Sequence, residues 1–306
     1  MNASLPIAVC ILATFPAETG LTMEAVWKET VWRGEAAHEA RTEEWRAIVS
    51  SHRGRLVHFG PVEDGSNLLY ESPEAAALLP GGDFPEWGGH RFWLGPQKSW
   101  EWPPHPDWEY SPAAEVVVEG ERLVVVMPRT DDHYPKLTRE YFWSGDRLGC
   151  LVRWSVTDRP YYAMQIFAVP SSTRVEAEPV PTVDVPLGFV RVTWDFPERP
   201  AVLPPGAVAE PGGLLVLRPA GESVKLGFPP QKLRGVSDRF ILQVSPAATT
   251  GRVIHPPDAG FLSQVWVCSA GGAVVEIEQI SPYLLPDGDE ASSLVFLEGI
   301  PTEGSS

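Results

Sequence analysis

Cysteine is scarce in this chain: three residues in 306, at positions 10, 150 and 268. They are far apart and form no Cys-x-x-Cys, so a thiolate-bound zinc site is not expected. Three thiols cannot staple a chain of this length, and the fold must rest on a hydrophobic core. Basic charge is also scarce. The 24 Lys and Arg stand against 40 Asp and Glu, a formal net charge of −16. That excludes a general affinity for nucleic-acid backbones, which needs clustered cations. No apolar run is long enough to span a bilayer as a helix. Gly-x-Ser-x-Gly, Gly-x-Gly-x-x-Gly and P-loop strings are absent, so nothing points to a serine hydrolase elbow or a nucleotide cradle. No cofactor and no metal is expected. Asp131-Asp132-His133 and His105-x-Asp107 read as solvated turns rather than ligand sets.

Aromatic and turn-forming residues are plentiful. There are 12 Trp, 27 Gly and 32 Pro, with 43% hydrophobic residues. Runs rich in Val, Ile, Thr and aromatics recur at 45–49, 55–59, 67–70, 115–118, 123–127, 138–143, 148–157 and 161–169. They continue at 189–196, 214–217, 224–228, 239–244, 261–268, 274–280 and 293–297, and Gly- or Pro-containing turns separate many of them. Only residues 73–79 predict a helix, with Pro at its first turn and an alanine run behind it. Proline clusters at 179–186 and 197–211 predict surface crossings. About fifteen strands without a linker predict an all-β fold, one large β-sandwich over residues 23–300 with a tail at 301–306. Residues 5–15 form an apolar run of secretory-leader length, yet the first positive charge is Lys28. Residues 1–22 are thus either signal-like or a disordered extension ahead of Met23. A cytoplasmic location is the expectation, and a periplasmic or secreted one the alternative.

Residues 86–110 hold five of the 12 Trp: Trp87, Trp93, Trp100, Trp102 and Trp108. Gly and Pro interrupt them, which predicts loops. Indoles in a loop-walled cleft suit a sugar ring, whose C–H faces are apolar while its hydroxyls need hydrogen bonds. His90, Arg91, Gln97, Lys98, Glu101, His105 and Asp107 supply polar partners in the same stretch. The alternative is a flap packed on the sandwich by its own tryptophans.

A second constellation lies at 275–282, Val-Glu-Ile-Glu-Gln-Ile-Ser-Pro. Residues two apart share a strand face, so Glu276 and Glu278 project together, with Val275 and Gln279 opposite. In a pocket such a pair suits general acid–base work. On an exposed edge it would only discourage aggregation.

Taken together, the segment Gly-Gly-His-Arg-Phe-Trp-Leu-Gly-Pro-Gln at 88–97 and the acidic segment at 275–282 resemble an uncharacterised bacterial family of galactose-mutarotase-like proteins. Gly65-Ser66-Asn67-Leu68-Leu69-Tyr70, Lys225-Leu226-Gly227 and Leu285-Pro286-Asp287-Gly288 agree in order, so the resemblance spans about residues 44–298. It implies the β-supersandwich shared with aldose 1-epimerases. Those enzymes use a His acid and a Glu base to open and reclose a sugar at its anomeric carbon. The resemblance puts the base at Glu276 or Glu278 and the acid at His90 or His105. A second His of the epimerase pattern is replaced here by Gln165, which can bond a hydroxyl but cannot act as an acid. Arg91, Gln97 and Gln165 would orient hydroxyls, and Arg91 could instead meet a carboxylate or phosphate. Two functions follow as expectations: an epimerase-like enzyme, or a non-catalytic carbohydrate-binding module with Trp93 and Trp100 stacked on the ring. A purely structural sandwich is the third. The expected partner is a sugar or sugar derivative.

Overall fold

A computed structural model describes residues 25–72, 88–96, 100, 103–109, 111–155, 157–193, 197–268 and 274–302. The expected helix at 73–79, the stretch 1–22, and Gln97 and Lys98 lie outside these residues. Among the described residues, 22 strands follow in chain order. They are β1 Lys28–Trp32, β2 Glu35–Arg41, β3 Trp45–Ser50, β4 Arg55–Pro61, β5 His90–Gly95, β6 Glu115–Glu119, β7 Arg122–Val126 and β8 Leu137–Ser144. Next come β9 Arg147–Ser155, β10 Tyr162–Pro170, β11 Arg174–Ala177, β12 Val190–Arg191, β13 Ala207–Ala209, β14 Leu215–Leu217 and β15 Val224–Phe228. The last are β16 Leu233–Val236, β17 Phe240–Thr250, β18 Arg252–His255, β19 Ser263–Val267, β20 Val274–Ile280, β21 Tyr283–Leu285 and β22 Glu290–Pro301. One short helix, α1 Pro106–Glu109, follows β5.

The strands form an antiparallel four-stranded sheet (β1-β2-β3-β4), a six-stranded sheet (β12-β15-β19-β20-β10-β5), a ten-stranded sheet (β13-β14-β11-β16-β17-β22-β9-β8-β7-β6) and a ribbon of β18 with β21. The all-β sandwich expected from the strand pattern is the observed fold. Its largest apolar cluster draws on three sheets, with Trp45 and Leu56 from the first, Phe92, Phe167 and Ile277 from the second, and Trp154 and Leu242 from the third. Polar bonds also cross between layers. Gln165 on β10 donates to the Ser293 carbonyl on β22 (2.9 Å).

Two local expectations are corrected. Residues 67–70 are not a strand. Asn67 takes over the pairing there: its Oδ1 accepts the Phe59 and Leu69 N–H groups and its Nδ2 donates to the Val57 carbonyl, so a side chain replaces the ladder. The stretch 86–110 is not all loop. Residues 90–95 are strand β5, buried along its whole length at the edge of the six-stranded sheet. Its covered flanks leave no polar–apolar alternation to mark it as a strand.

Candidate functional site

The geometry of the site begins with Gly88 and Gly89, whose φ values are +70° and +69°. L-side chains rarely take that conformation. A Cβ on Gly89 would come within 2.3 Å of the Leu56 carbonyl oxygen. The two glycines let the chain slip past β4 and join β10 with His90 opposite Phe167, Arg91 opposite Ile166 and Trp93 opposite Met164. From there strand alternation sorts the residues.

His90, Phe92 and Leu94 turn to the core side of the six-stranded sheet, with Gln165 and Phe167 of β10 and Val275, Ile277 and Gln279 of β20. The opposite side carries Arg91 and Trp93, Glu276 and Glu278, Gln264 and Trp266, and Lys225. Pairing aligns Lys225 with Trp266 and Trp266 with Glu276; it likewise aligns Gln264 with Glu278, Glu278 with Ile166 and Ile166 with Arg91. Glu276 and Glu278 thus share a face, as their spacing implies.

Each of the two carboxylates has its own cation, on a different neighbour. Arg91 Nη1 donates to Glu276 Oε1. Lys225 Nζ lies 2.7 Å from Glu278 Oε2. Glu278 is sealed, whereas the Glu276 and Lys225 side chains keep 10% and 17% of their surface exposed. The face therefore opens at Lys225, Trp266 and Glu276, and Trp266 is itself partly exposed.

Glu109, which the sequence reading did not single out, organises the other end. Its Oε1 accepts from Arg55 Nη1 (3.0 Å) and Arg91 Nε (3.1 Å), and its Oε2 accepts from the Trp93 indole N–H (2.7 Å). Burial alone would raise this carboxyl, but the Arg55 and Arg91 charges, with hydrogen bonds from Trp93 and Arg55, hold it below its ordinary value. The Arg91 guanidinium also lies 4.7 Å over the Trp93 ring. Helix α1 delivers Glu109 and is itself anchored: the Asp107 carboxylate accepts the Thr130 N–H (2.6 Å) and hydroxyl, and Arg139 donates to the Trp108 carbonyl. Trp93, Trp100 and Trp108 form an edge-to-face chain with centroids 5.8 and 6.1 Å apart. The Trp100 indole donates to the Leu94 carbonyl (2.8 Å). Trp93, a candidate stacking residue, and Trp108 are buried, while Trp100, the other candidate, is partly exposed.

The structure does not bring His90 or Gln165 to the paired carboxylates, because both point to the other side of the sheet. His90 is fully buried, stacked on Phe167 (4.6 Å) with Nδ1 3.2 Å from the Tyr141 hydroxyl. Burial, reinforced by Arg139 and Arg55, pushes its imidazole well below the ordinary value and keeps it neutral. Gln165 is fully buried, bonded to the Ser293 carbonyl and hydroxyl. His105 sits just before α1, its ring 4.6 Å from Tyr134 and 5.4 Å from Trp108, and the carboxylate in reach is Asp107 at 3.8 Å. Gln97 lies outside the described residues. No group of three or more His, Cys, Asp or Glu able to hold a metal occurs among the described residues. Likewise no helix among them is long and apolar enough to cross a membrane.

Solved structures share this arrangement of sheets. A "putative aldose 1-epimerase" from Klebsiella pneumoniae superposes with a TM-score of 0.53 at 10% identity, covering 91% of this chain and 84% of that one. The fold is galactose-mutarotase-like. A TPR-domain protein from Parabacteroides distasonis matches with a TM-score of 0.53 at 13% identity, over 88% of this chain but 47% of its own. A second "putative aldose 1-epimerase", from Escherichia coli, has 13% identity and a TM-score of 0.49 over 85% of this chain and 97% of that one. No family model matches the sequence, and no curated protein matches it. The site residues that sequence reasoning missed are Arg55 on β4, Glu109 on α1, and Gln264 and Trp266 on β19, while Lys225 enters it only as part of a motif. A lone lysine in the apolar strand 224–228 was the signal for Lys225, and the odd-numbered alternation of 263–267 hid Trp266 among core valines.

Proposed function

We propose that this protein binds a sugar on the outer face of the six-stranded sheet, around Glu276, Glu278 and Lys225. The observation that carries the reading is the pair of carboxylates on one strand, each matched to a separate cation. Such pairing sets a positive charge against each carboxylate on the shared face. The exposed edge of Glu276 and the Lys225 ammonium can accept from and donate to hydroxyls, while the sealed Glu278 holds Lys225 in place. The fold, shared with a structure designated an aldose 1-epimerase, supports the same class of ligand.

Action at the anomeric carbon is the second step of this reading. A base removes the proton from the anomeric hydroxyl while an acid protonates the ring oxygen, the bond from that oxygen to the anomeric carbon opens, and reclosure on the other face exchanges the anomers. In this reading Glu276, the more exposed carboxylate, serves as the base, and Lys225 beside Glu278 as the proton donor. Anomer-exchange NMR and titration across hexoses, uronates and hexose phosphates test both steps. Binding of at least one sugar by the wild type, weakened tenfold or more in Glu276→Gln, is the expected result. Absence of both binding and exchange across the panel would sink the sugar reading; binding without exchange would leave a carbohydrate-binding protein and remove the epimerase step.

A further inference from the structure

We infer that Trp266 is the floor on which the bound sugar lies, with its ring flat against the indole and its hydroxyls reaching Glu276 and the Lys225 ammonium beside Glu278; this rests on the sugar-binding reading above. The sequence drew attention to the tryptophans of residues 86–110, but those described are occupied by their own neighbours. Trp93 is 4% exposed, with Arg91 over its ring, and Trp100 lies edge-on between Trp93 and Trp108. Trp266 is different. It is partly exposed on the site face, and among the described residues its ring has no aromatic or cationic partner and its indole N–H no hydrogen bond. The remaining described tryptophans have a ring partner or a hydrogen bond, except Trp154, which is fully buried.

The register makes the position specific. Lys225, Trp266 and Glu276 are direct cross-strand partners on β15, β19 and β20. Neighbouring strands run about 4.8 Å apart, so Glu276 rises about 5 Å to one side of the indole, while the Lys225 side chain starts on the other side and crosses β19 to bring its ammonium 2.7 Å from Glu278. An apolar ring with a donor and an acceptor at its rim matches a pyranose, which presents C–H bonds on its faces and hydroxyls around its rim. A lipid chain offers no hydroxyl to the charged groups beside the indole, and an extended peptide would need a free strand edge, which β19 lacks because both its edges are paired. The ligand class this selects is a pyranose with one face clear of axial hydroxyls.

The test uses the full chain. The Trp266 indole N–H resonance of the wild type, assigned by its loss in Trp266→Phe, is followed while methyl β-glucoside, methyl β-galactoside and the best sugar of the panel are titrated. That resonance is expected to shift on binding, with saturation transfer from the indole to the C–H protons of one sugar face. Trp266→Gln is expected to weaken binding at least tenfold, and Trp266→Phe, which keeps a flat ring, to remain within about threefold, while both keep the wild-type melting temperature. A sugar that binds the wild type without moving this resonance, or that binds Trp266→Gln as tightly as the wild type, overturns the inference and leaves the sugar reading standing. If no sugar binds the wild type, both fall together.

Discussion

Replacing Glu109 with Gln tests whether the buried ion network holds the site together. Glu109 is 1% exposed and its partners Arg55 and Arg91 are 0% and 2% exposed. An amide keeps the shape but removes the charge and turns one acceptor oxygen into a donor. Either a guanidinium or the Trp93 indole then faces N–H against N–H. Breaking one side of a buried pair leaves an uncompensated charge, at a cost of about 3–5 kcal/mol. For a chain this long, 1 kcal/mol moves the melting temperature by about 2 °C, so a drop of about 6–10 °C is expected. Calorimetry and urea unfolding measure it. The double substitution Arg55→Met with Glu109→Gln removes both charges of one pair and leaves Arg91 with Glu276; it is expected to recover at least half of the loss. A single substitution costing under about 1 kcal/mol, or a double as damaged as the single, would refute the network as a source of stability.

Two further outcomes follow from buried groups and backbone. His58 is pushed down to about 3, first by burial and then by the Arg46 and Arg33 charges, and His90 is held well below 6.5. Both stay neutral when folded but protonate near 6.5 when unfolded. The stability they protect is fully present above pH 6.5 and is lost as the pH falls from there toward the folded values, at about 1.4 kcal/mol per unit for each. Urea midpoints that stay flat between pH 7 and 5 would contradict this. Gly89→Ala is expected to cost at least about 2 kcal/mol, from the left-handed backbone together with the Leu56 carbonyl in its way; an unchanged melting temperature would remove the glycine pair from the account of how β5 is seated.

The sequence carried the acidic half of the site almost in full. The two-residue spacing of Glu276 and Glu278 and the apolar Val275 and Ile277 alternating with them allow one arrangement in a strand, and the pairing with β10 and β19 matches it. The histidine half was not legible. In β5 every residue from His90 to Gly95 is buried, so nothing in the sequence says which of His90 and Arg91 meets the core. Arg91 goes to the outer face, where Glu109 and Glu276 satisfy its charge, and His90 takes the core as a neutral ring. Glu109 escaped notice for another reason. Its partners Arg55 and Arg91 are 54 and 18 residues away in sequence, and local pattern says nothing about such meetings.

The alternation of β20 also fixes how a ligand can be admitted. A slip of one residue against β10 or β19 would carry Glu276 and Glu278 into the apolar core and push Val275 and Ile277 out. Sheet sliding is therefore closed as a gating motion. The site keeps its register whether filled or empty, and any movement that widens it belongs to side chains rather than to the strands. The amides of β20 should accordingly be among the slowest in the molecule to exchange with solvent, and their exchange should report global unfolding rather than the opening of the site.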